Sequence, residues 1–222
     1  MDYKVVEVKE DIIRRNDETA DKLRGKLKDK RIFFINLMAS PGSGKTTLLL
    51  HLLPILKKKY NIAVMEADID SEVDAKTISS ELNIPTLQIH TNGACHLTAQ
   101  MVEDAIKDFD LSNIDLLILE NIGNLVCPAE FDTGANMNLV LLSVPEGDDK
   151  PLKYPLMFEV ANIVVATKID TTEVFDFDQD KFYKNVKLRN KNAEVFETSA
   201  IENLGIDNLA YRLDTIISSS LK

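Results

Sequence analysis

Cysteine and histidine are scarce in this chain of 222 residues, which has two of the first and three of the second. Cys95 and Cys127 are too few for a disulfide scaffold. No secretory leader is expected from the start MDYKVVEVKEDIIRRNDE, which has no apolar centre, so the reducing cytoplasm is the expected compartment. Long hydrophobic runs are missing as well. The most apolar stretches, residues 32–39 and 48–56, fall short of the roughly 18 residues read as a membrane span, and Asn36, His51 and Pro54 interrupt them. Basic excess is absent too. Lys and Arg number 26 against 36 Asp and Glu, a net charge of −10, so neither a nucleic-acid nor a membrane partner held by broad electrostatics is expected.

What is present is enough apolar material, 45% of residues, for one sizeable core. Residues 1–30 are dense in charge, with Ile12, Ile13, Leu23 and Leu27 as sparse apolar positions, and read as a peripheral helical arm. From residue 31 to 222 short β-branched runs alternate with amphipathic segments, the pattern of a mainly parallel sheet flanked by helices. Strands are expected at 31–38, 61–67, 86–90, 114–120, 138–144, 161–167 and 193–198, and helices at 45–58, 71–82, 96–109, 176–190 and 205–219. Pro54 should kink or shorten the first of these helices. Residues 121–137 and 145–157 read as long irregular loops, a length that usually carries function.

Directly after the first strand stands Ala39-Ser40-Pro41-Gly42-Ser43-Gly44-Lys45-Thr46-Thr47, followed by LLLHLLPIL. Strand, glycine-rich loop, Lys-Thr and helix in that order form a phosphate cradle. Pro41, Gly42, Ser43, Gly44, Lys45, Thr46 and Thr47 are the expected nucleotide contacts: backbone N–H groups turn inward, Lys45 supplies a charge and Thr46 a hydroxyl for Mg²⁺. The expected fold class is therefore α/β, a P-loop NTPase-type three-layer fold. The loop departs from G-x-x-x-x-G-K-[ST] at Ala39, a small residue at a strand end.

Base choice must come from elsewhere. Thr167-Lys168-Ile169-Asp170 is similar to the Asn-Lys-x-Asp motif of GTPases: the Asp170 carboxylate can accept both N1–H and N2–H of guanine, and the Lys168 stem can lie along the purine. Thr167 stands where that motif has Asn, which leaves one orienting hydrogen bond open. Glu197-Thr198-Ser199-Ala200 looks like the Ser-Ala loop that contacts the guanine carbonyl. Asp68 and Glu120 end strands where Mg²⁺ or water ligands are expected, and Glu120-Asn121-Ile122-Gly123 is similar to an Asp-x-x-Gly switch with Glu in place of Asp. Asp68 reads equally as a cap for the segment after Ser71. Asp70 and Asp74 are weaker candidates for positioning water. No glutamine or arginine finger is evident, so intrinsic hydrolysis should be slow.

Cys95 and His96 follow one strand and Cys127 another. In a parallel sheet such segments emerge at one edge, so the three should meet near the phosphate loop as a site for Zn²⁺ or Ni²⁺. Two buried free cysteines are the alternative. His51 and His90 read as structural.

SPGSGKTT, GACHL, LENIGNLVCPAEFDTG, SVPEGDDKPLKYPLMF, ATKID and ETSA, in that order from about residue 31 to 210, together resemble the HypB family of the SIMIBI class of GTPases, which assist nickel insertion during nickel-iron hydrogenase maturation. The urease relative UreG has a different cysteine arrangement. The resemblance implies GTP hydrolysis, a GTP-promoted homodimer, a metal site of Cys95, His96 and Cys127 near the dimer contact, and work with a HypA-type nickel chaperone on a hydrogenase large-subunit precursor. Some members carry an N-terminal cysteine motif or histidine-rich tract for nickel. Here residues 1–30 have neither, which argues against storage. Further expectations are that GTP and Mg²⁺ order the loops around Asp68 and Gly123, that Cys127 moves with them, and that Lys153 reaches a partner chain, for instance at Asp170, or is simply solvated. Competing readings are an ATP-driven scaffold of the MinD type and a nucleotide-gated zinc-binding regulator.

Overall fold

The computed structural model describes residues 8–221. The β-branched runs become β1 (Phe33–Met38), β2 (Ile62–Asp68), β3 (Thr86–His90), β4 (Leu116–Glu120), β5 (Met137–Ser143), β6 (Ile163–Thr167) and β7 (Glu194–Thr198). They form one sheet in the order β3-β2-β4-β1-β5-β6-β7, and every pairing is parallel. A parallel sheet is covered on both faces, which explains the near-continuous burial along β1, β4 and β6.

The helices are α1 (Val8–Asp29), α2 (Lys45–Leu56), α3 (Val73–Leu82), α4 (Ala99–Lys107), α5 (Cys127–Glu130), α6 (Lys150–Lys153), α7 (Pro155–Glu159), α8 (Gln179–Arg189) and α9 (Ile206–Ser220). On one face Leu49 and Leu52 of α2, Ile78 of α3 and Leu213 of α9 pack on Ile35, Val64 and Ile118. The other face has two clusters: Leu23, Leu27 and Val102 against Phe34 and Leu117, and Phe158, Phe182 and Val186 against Val140 and Val164. These are the three layers expected from the alternating pattern.

Several expected ends move. Polar caps start helices later than periodicity alone suggests: Thr98 accepts from the Met101 N–H at 3.3 Å and Asp178 from the Lys181 N–H at 2.9 Å. Accordingly α4 starts at Ala99 rather than 96, and α8 at Gln179 rather than 176. Pro54 sits in the last turn of α2, which stops at Leu56 instead of 58. The two expected irregular stretches hold short helices, α5 in the first and α6 and α7 in the second, and β5 begins at Met137.

Segment 1–30 is helical over Val8–Asp29, and residues 1–7 lie outside the described part. Ala20, Leu23 and Leu27 form its buried stripe. Buried Asn16 donates to the Asp132 carbonyl at 2.8 Å and accepts from the Ala99 N–H at 2.9 Å, so one amide ties α1 to both the loop before β5 and the start of α4. Among the described residues no helix is long and apolar enough to cross a membrane.

Candidate functional site

The phosphate loop leaves β1 in the centre of the sheet. Gly42 (φ +75°) and Gly44 (φ +93°) hold left-handed backbone that L side chains rarely adopt, and Gly44 caps α2. Their turn aims the first amides of α2 into the loop, with Lys45 and Thr46 opening that helix. Two groups from the end of β6 hold the loop from behind. The Thr167 hydroxyl donates to the Ser43 carbonyl at 2.6 Å, and Lys168 Nζ donates to the Gly42 carbonyl at 2.7 Å. Thr167 therefore ties the TKID segment to the phosphate loop.

Lys168 itself has φ +60°, which turns the chain sharply into the segment bearing Asp170. Asp170 Oδ1 accepts from the buried Ser199 hydroxyl at 2.6 Å. A cleft of about 180 Å³ lies between Gly44, Thr47, Lys168, Asp170, Ala200 and Ile201. The structure thus brings the TKID and TSA segments together beside the loop, one carboxylate oxygen oriented by a hydroxyl.

The carboxylates are arranged differently from the simplest sequence expectation. Thr46 Oγ1 donates to Glu120 Oε1 at 2.9 Å. Asp68 Oδ1 accepts from the backbone N–H groups of Asp70 and Ser71, at 3.0 and 2.8 Å, and these bonds hold its pKa below the ordinary value. It pins a turn ahead of α3. Asp74, not Asp68, meets Glu120 together with Glu66, one carboxylate oxygen from each lying within 4.8 Å of the others. Glu66 was not singled out from sequence. It stands directly opposite Glu120 in the β2–β4 register, and an acidic residue inside the otherwise apolar strand IAVMEAD is the signal that could have found it.

Burial pushes the Glu66 carboxyl up to about 8, partly opposed by a hydrogen bond with Gln88. Burial pushes Glu120 up to about 7, against the Lys45 charge and the Thr46 hydroxyl. Oε2 of each is buried without a hydrogen-bond partner among the described residues. Buried carboxylate oxygens beside a threonine hydroxyl are the hard, all-oxygen donor set that Mg²⁺ takes, so these residues fit that ion.

The cysteines converge as expected. Cys95 Sγ lies 2.9 Å from Cys127 Sγ and 3.7 Å from His96 Nδ1. The His96 ring stacks on Phe131 at 4.0 Å with 9° between planes, and burial lowers its pKa, which favours the neutral, ligating imidazole. The hydrogen bond with Cys95, then burial, raises the Cys127 thiol.

The phosphate loop and this site share a wall. The Asn124 N–H donates to the Ala39 carbonyl at 2.9 Å, and a Cβ on Gly123 would come within 2.9 Å of Pro41. Buried Asn121, just past β4, donates to Asn36 Oδ1 at 2.9 Å and Asn36 to Asn138 Oδ1 at 3.0 Å, a polar row from the end of β4 through β1 to β5. Lys153 pairs with Asp149 of its own chain at 2.6 Å. His51 bonds the Thr47 carbonyl and His90 approaches Glu72.

Residues 33–197 match the CobW/HypB/UreG nucleotide-binding domain. The hydrogenase/urease maturation factor HypB of Helicobacter hepaticus is 41% identical over 203 residues, covering 90% of this chain and 83% of that protein. The hydrogenase maturation factor HypB of Escherichia coli K12 is 38% identical over 212 residues, 96% of this chain and 73% of that one. The crystal structure of HypB from Helicobacter pylori in complex with nickel superposes with a TM-score of 0.87 at 37% identity, covering 94% of this chain and 97% of that chain. A P-loop nucleotide-binding fold that matches these proteins over nearly its whole length belongs to the HypB family of hydrogenase maturation factors.

Proposed function

We propose that this chain is a GTP-hydrolysing metallochaperone that carries nickel as cargo for insertion into nickel-iron hydrogenase, holding it at Cys95, His96 and Cys127. The observation that carries the reading is the contact between the phosphate loop and the segment leading to Cys127: the Asn124-to-Ala39 hydrogen bond and the packing of Gly123 on Pro41. A γ-phosphate that reshapes residues 39–47 must move or tighten residues 121–127 with them.

In this reading Lys45 and the backbone amides of residues 42–47 neutralise and orient the phosphates. Asp170 accepts from the guanine edge, with Lys168 along the base and the Ser199–Ala200 turn closing it. Thr46, Glu120 and Glu66 would hold Mg²⁺, which when bound offsets phosphate charge. Asp74 is better placed than Asp68 to face that cluster, while Asp68 fixes the turn that presents it. Gly123 serves the switch. Turnover should be slow, since no glutamine or arginine finger is evident in the sequence. A homodimer formed on GTP binding, cooperation with a HypA-type nickel chaperone and a hydrogenase large-subunit precursor, and a cytoplasmic location complete the proposal. The segment 1–30, helical over its described part Val8–Asp29, serves as an arm to a domain spanning 31–222, and Lys153 is available to a partner chain after leaving Asp149.

The experiment is anaerobic nickel and zinc titration, with oligomer mass and phosphate release, in GTP analogue, GDP and no nucleotide. Metal affinity should differ between GTP analogue and GDP, Cys95→Ala should remove the tight site, and Lys45→Ala should abolish turnover. Identical metal binding in every nucleotide state would sink the coupling. Stronger competition by ATP than by GTP for a fluorescent guanine nucleotide would overturn the base assignment.

A further inference from the structure

We propose that Glu146 is a positioning residue of the phosphate loop, acting through Ser40 to lock the phosphate half of the site to the base-reading half. This role rests on the GTPase reading given above. Glu146 follows β5 in a short 3-10 turn, Val144–Glu146, and its carboxylate is engaged on both oxygens. Oε2 accepts from the Ser143 N–H at 2.8 Å and the Ser143 hydroxyl at 2.7 Å, and Oε1 accepts a short hydrogen bond from the Ser40 hydroxyl. Ser40 is the residue before Pro41, where the chain leaves β1 to enter the cradle.

A carboxylate at this point is costly to phosphate binding, because a like charge beside the loop repels the ligand. What offsets that repulsion is rigidity. The turn bearing Glu146 is anchored from behind by buried Asp148, which pairs with Lys181 at 2.8 Å and accepts from the Asp178 N–H at 3.1 Å. Asn185 adds a bond to the Asp148 carbonyl at 3.0 Å. The same turn packs on the Ile169–Thr171 turn that contains Asp170. Ser40 is thus fixed to a frame that also fixes Asp170. Thr167 and Lys168 make a second connection between the two halves, at Ser43 and Gly42. With the cradle held at both its entry and its middle, its amides are organised before nucleotide arrives, and less ordering entropy is lost on binding.

The test compares Ser40→Ala, Glu146→Ala, Glu146→Gln and the Ser40→Ala/Glu146→Ala double variant with the parent. The readouts are affinity for fluorescent GDP and a non-hydrolysable GTP analogue, separate kcat and KM, and the nucleotide-free thermal midpoint. Each alanine variant should weaken both nucleotides by about 10-fold, the scale of one charge-assisted hydrogen bond, with the loss mainly in KM. The double variant should be no worse than the weaker single one, because the two residues act as one unit. Glu146→Gln should recover most of the affinity, since its amide can still cap Ser143 and bond Ser40. Ser40→Ala leaves the Ser143 contacts intact, so it keeps the test meaningful if Glu146→Ala folds poorly. Tighter or unchanged binding in Ser40→Ala and Glu146→Ala, or additive losses, would overturn the role. A parent that binds neither guanine nucleotide would instead bring down the GTPase reading itself, whereas a binding parent with indifferent variants removes only Glu146.

Discussion

Thr167 illustrates how chemistry can survive a change of residue. A threonine hydroxyl reaches the Ser43 carbonyl, so the departure from Asn in the base-reading motif keeps a hydrogen bond to the phosphate loop. Thr167→Val preserves shape and removes the donor, leaving a carbonyl beside fully buried Ser43 short of one partner. Guanine-nucleotide affinity should fall by roughly 3- to 10-fold with little change in thermal midpoint, as read by fluorescent-nucleotide titration. Glu66 makes a different prediction. With Glu120 it has a folded pKa of about 8 and about 7 respectively, against an ordinary 4.5. The folded protein therefore keeps these protons longer than the unfolded chain does. Their contribution to stability is complete below about 4.5 and is lost as pH rises to about 8. In chelator, urea midpoints should decline over that range, and Glu66→Gln should flatten the decline and stabilise the protein at pH 8 by on the order of 2 kcal/mol. A mutant profile parallel to the parent's would contradict this. Residue identity was enough to mark Glu120, at a strand end before Gly123. Glu66 required the register, because only pairing puts it opposite Glu120.

Among the elements, α1 contrasts most with its sequence. A segment dense in charge with few apolar residues reads as peripheral, yet the few are spaced so that Leu23 and Leu27 fall on one stripe and reach the Phe34 cluster. Gly134 lies against that stripe, where a Cβ would sit 3.0 Å from Leu23. Leu23→Ala should cost about 2–5 kcal/mol, measured as a lowered denaturant midpoint, while nucleotide affinity stays within about twofold. A variant that loses nucleotide binding before it loses stability would mean that α1 acts on the site directly. The strands were legible to within one or two residues because a buried parallel strand is a run of apolar side chains bounded by polar ones. Helix starts were less legible. Thr98 and Asp178 each take an amide in the first turn, a choice between neighbouring polar residues that periodicity does not make.

At the scale of the molecule, one sheet edge holds the phosphate loop, the base cleft, the carboxylates and the two thiols. Hydrogen exchange should therefore slow on adding GTP analogue at residues 121–127 and 144–149 as well as 39–47, with residues 103–107 unchanged. Protection confined to 39–47 would show that the loop's neighbours do not share its fate. By itself, the sequence determined the α/β class, the place of the phosphate loop, and the meeting of Cys95 with Cys127. Each follows from local patterning together with the rule that parallel strands deliver their following segments to one edge. Tertiary structure alone decided which carboxylate faces Glu120, what holds the loop from behind, and how the loop meets the thiol-bearing segment. Those outcomes depend on strand order, and on hydrogen bonds between residues far apart in the chain, such as Ser40 with Glu146 and Thr167 with Ser43. No local spacing encodes such contacts, because they exist only once the sheet has brought its strands side by side.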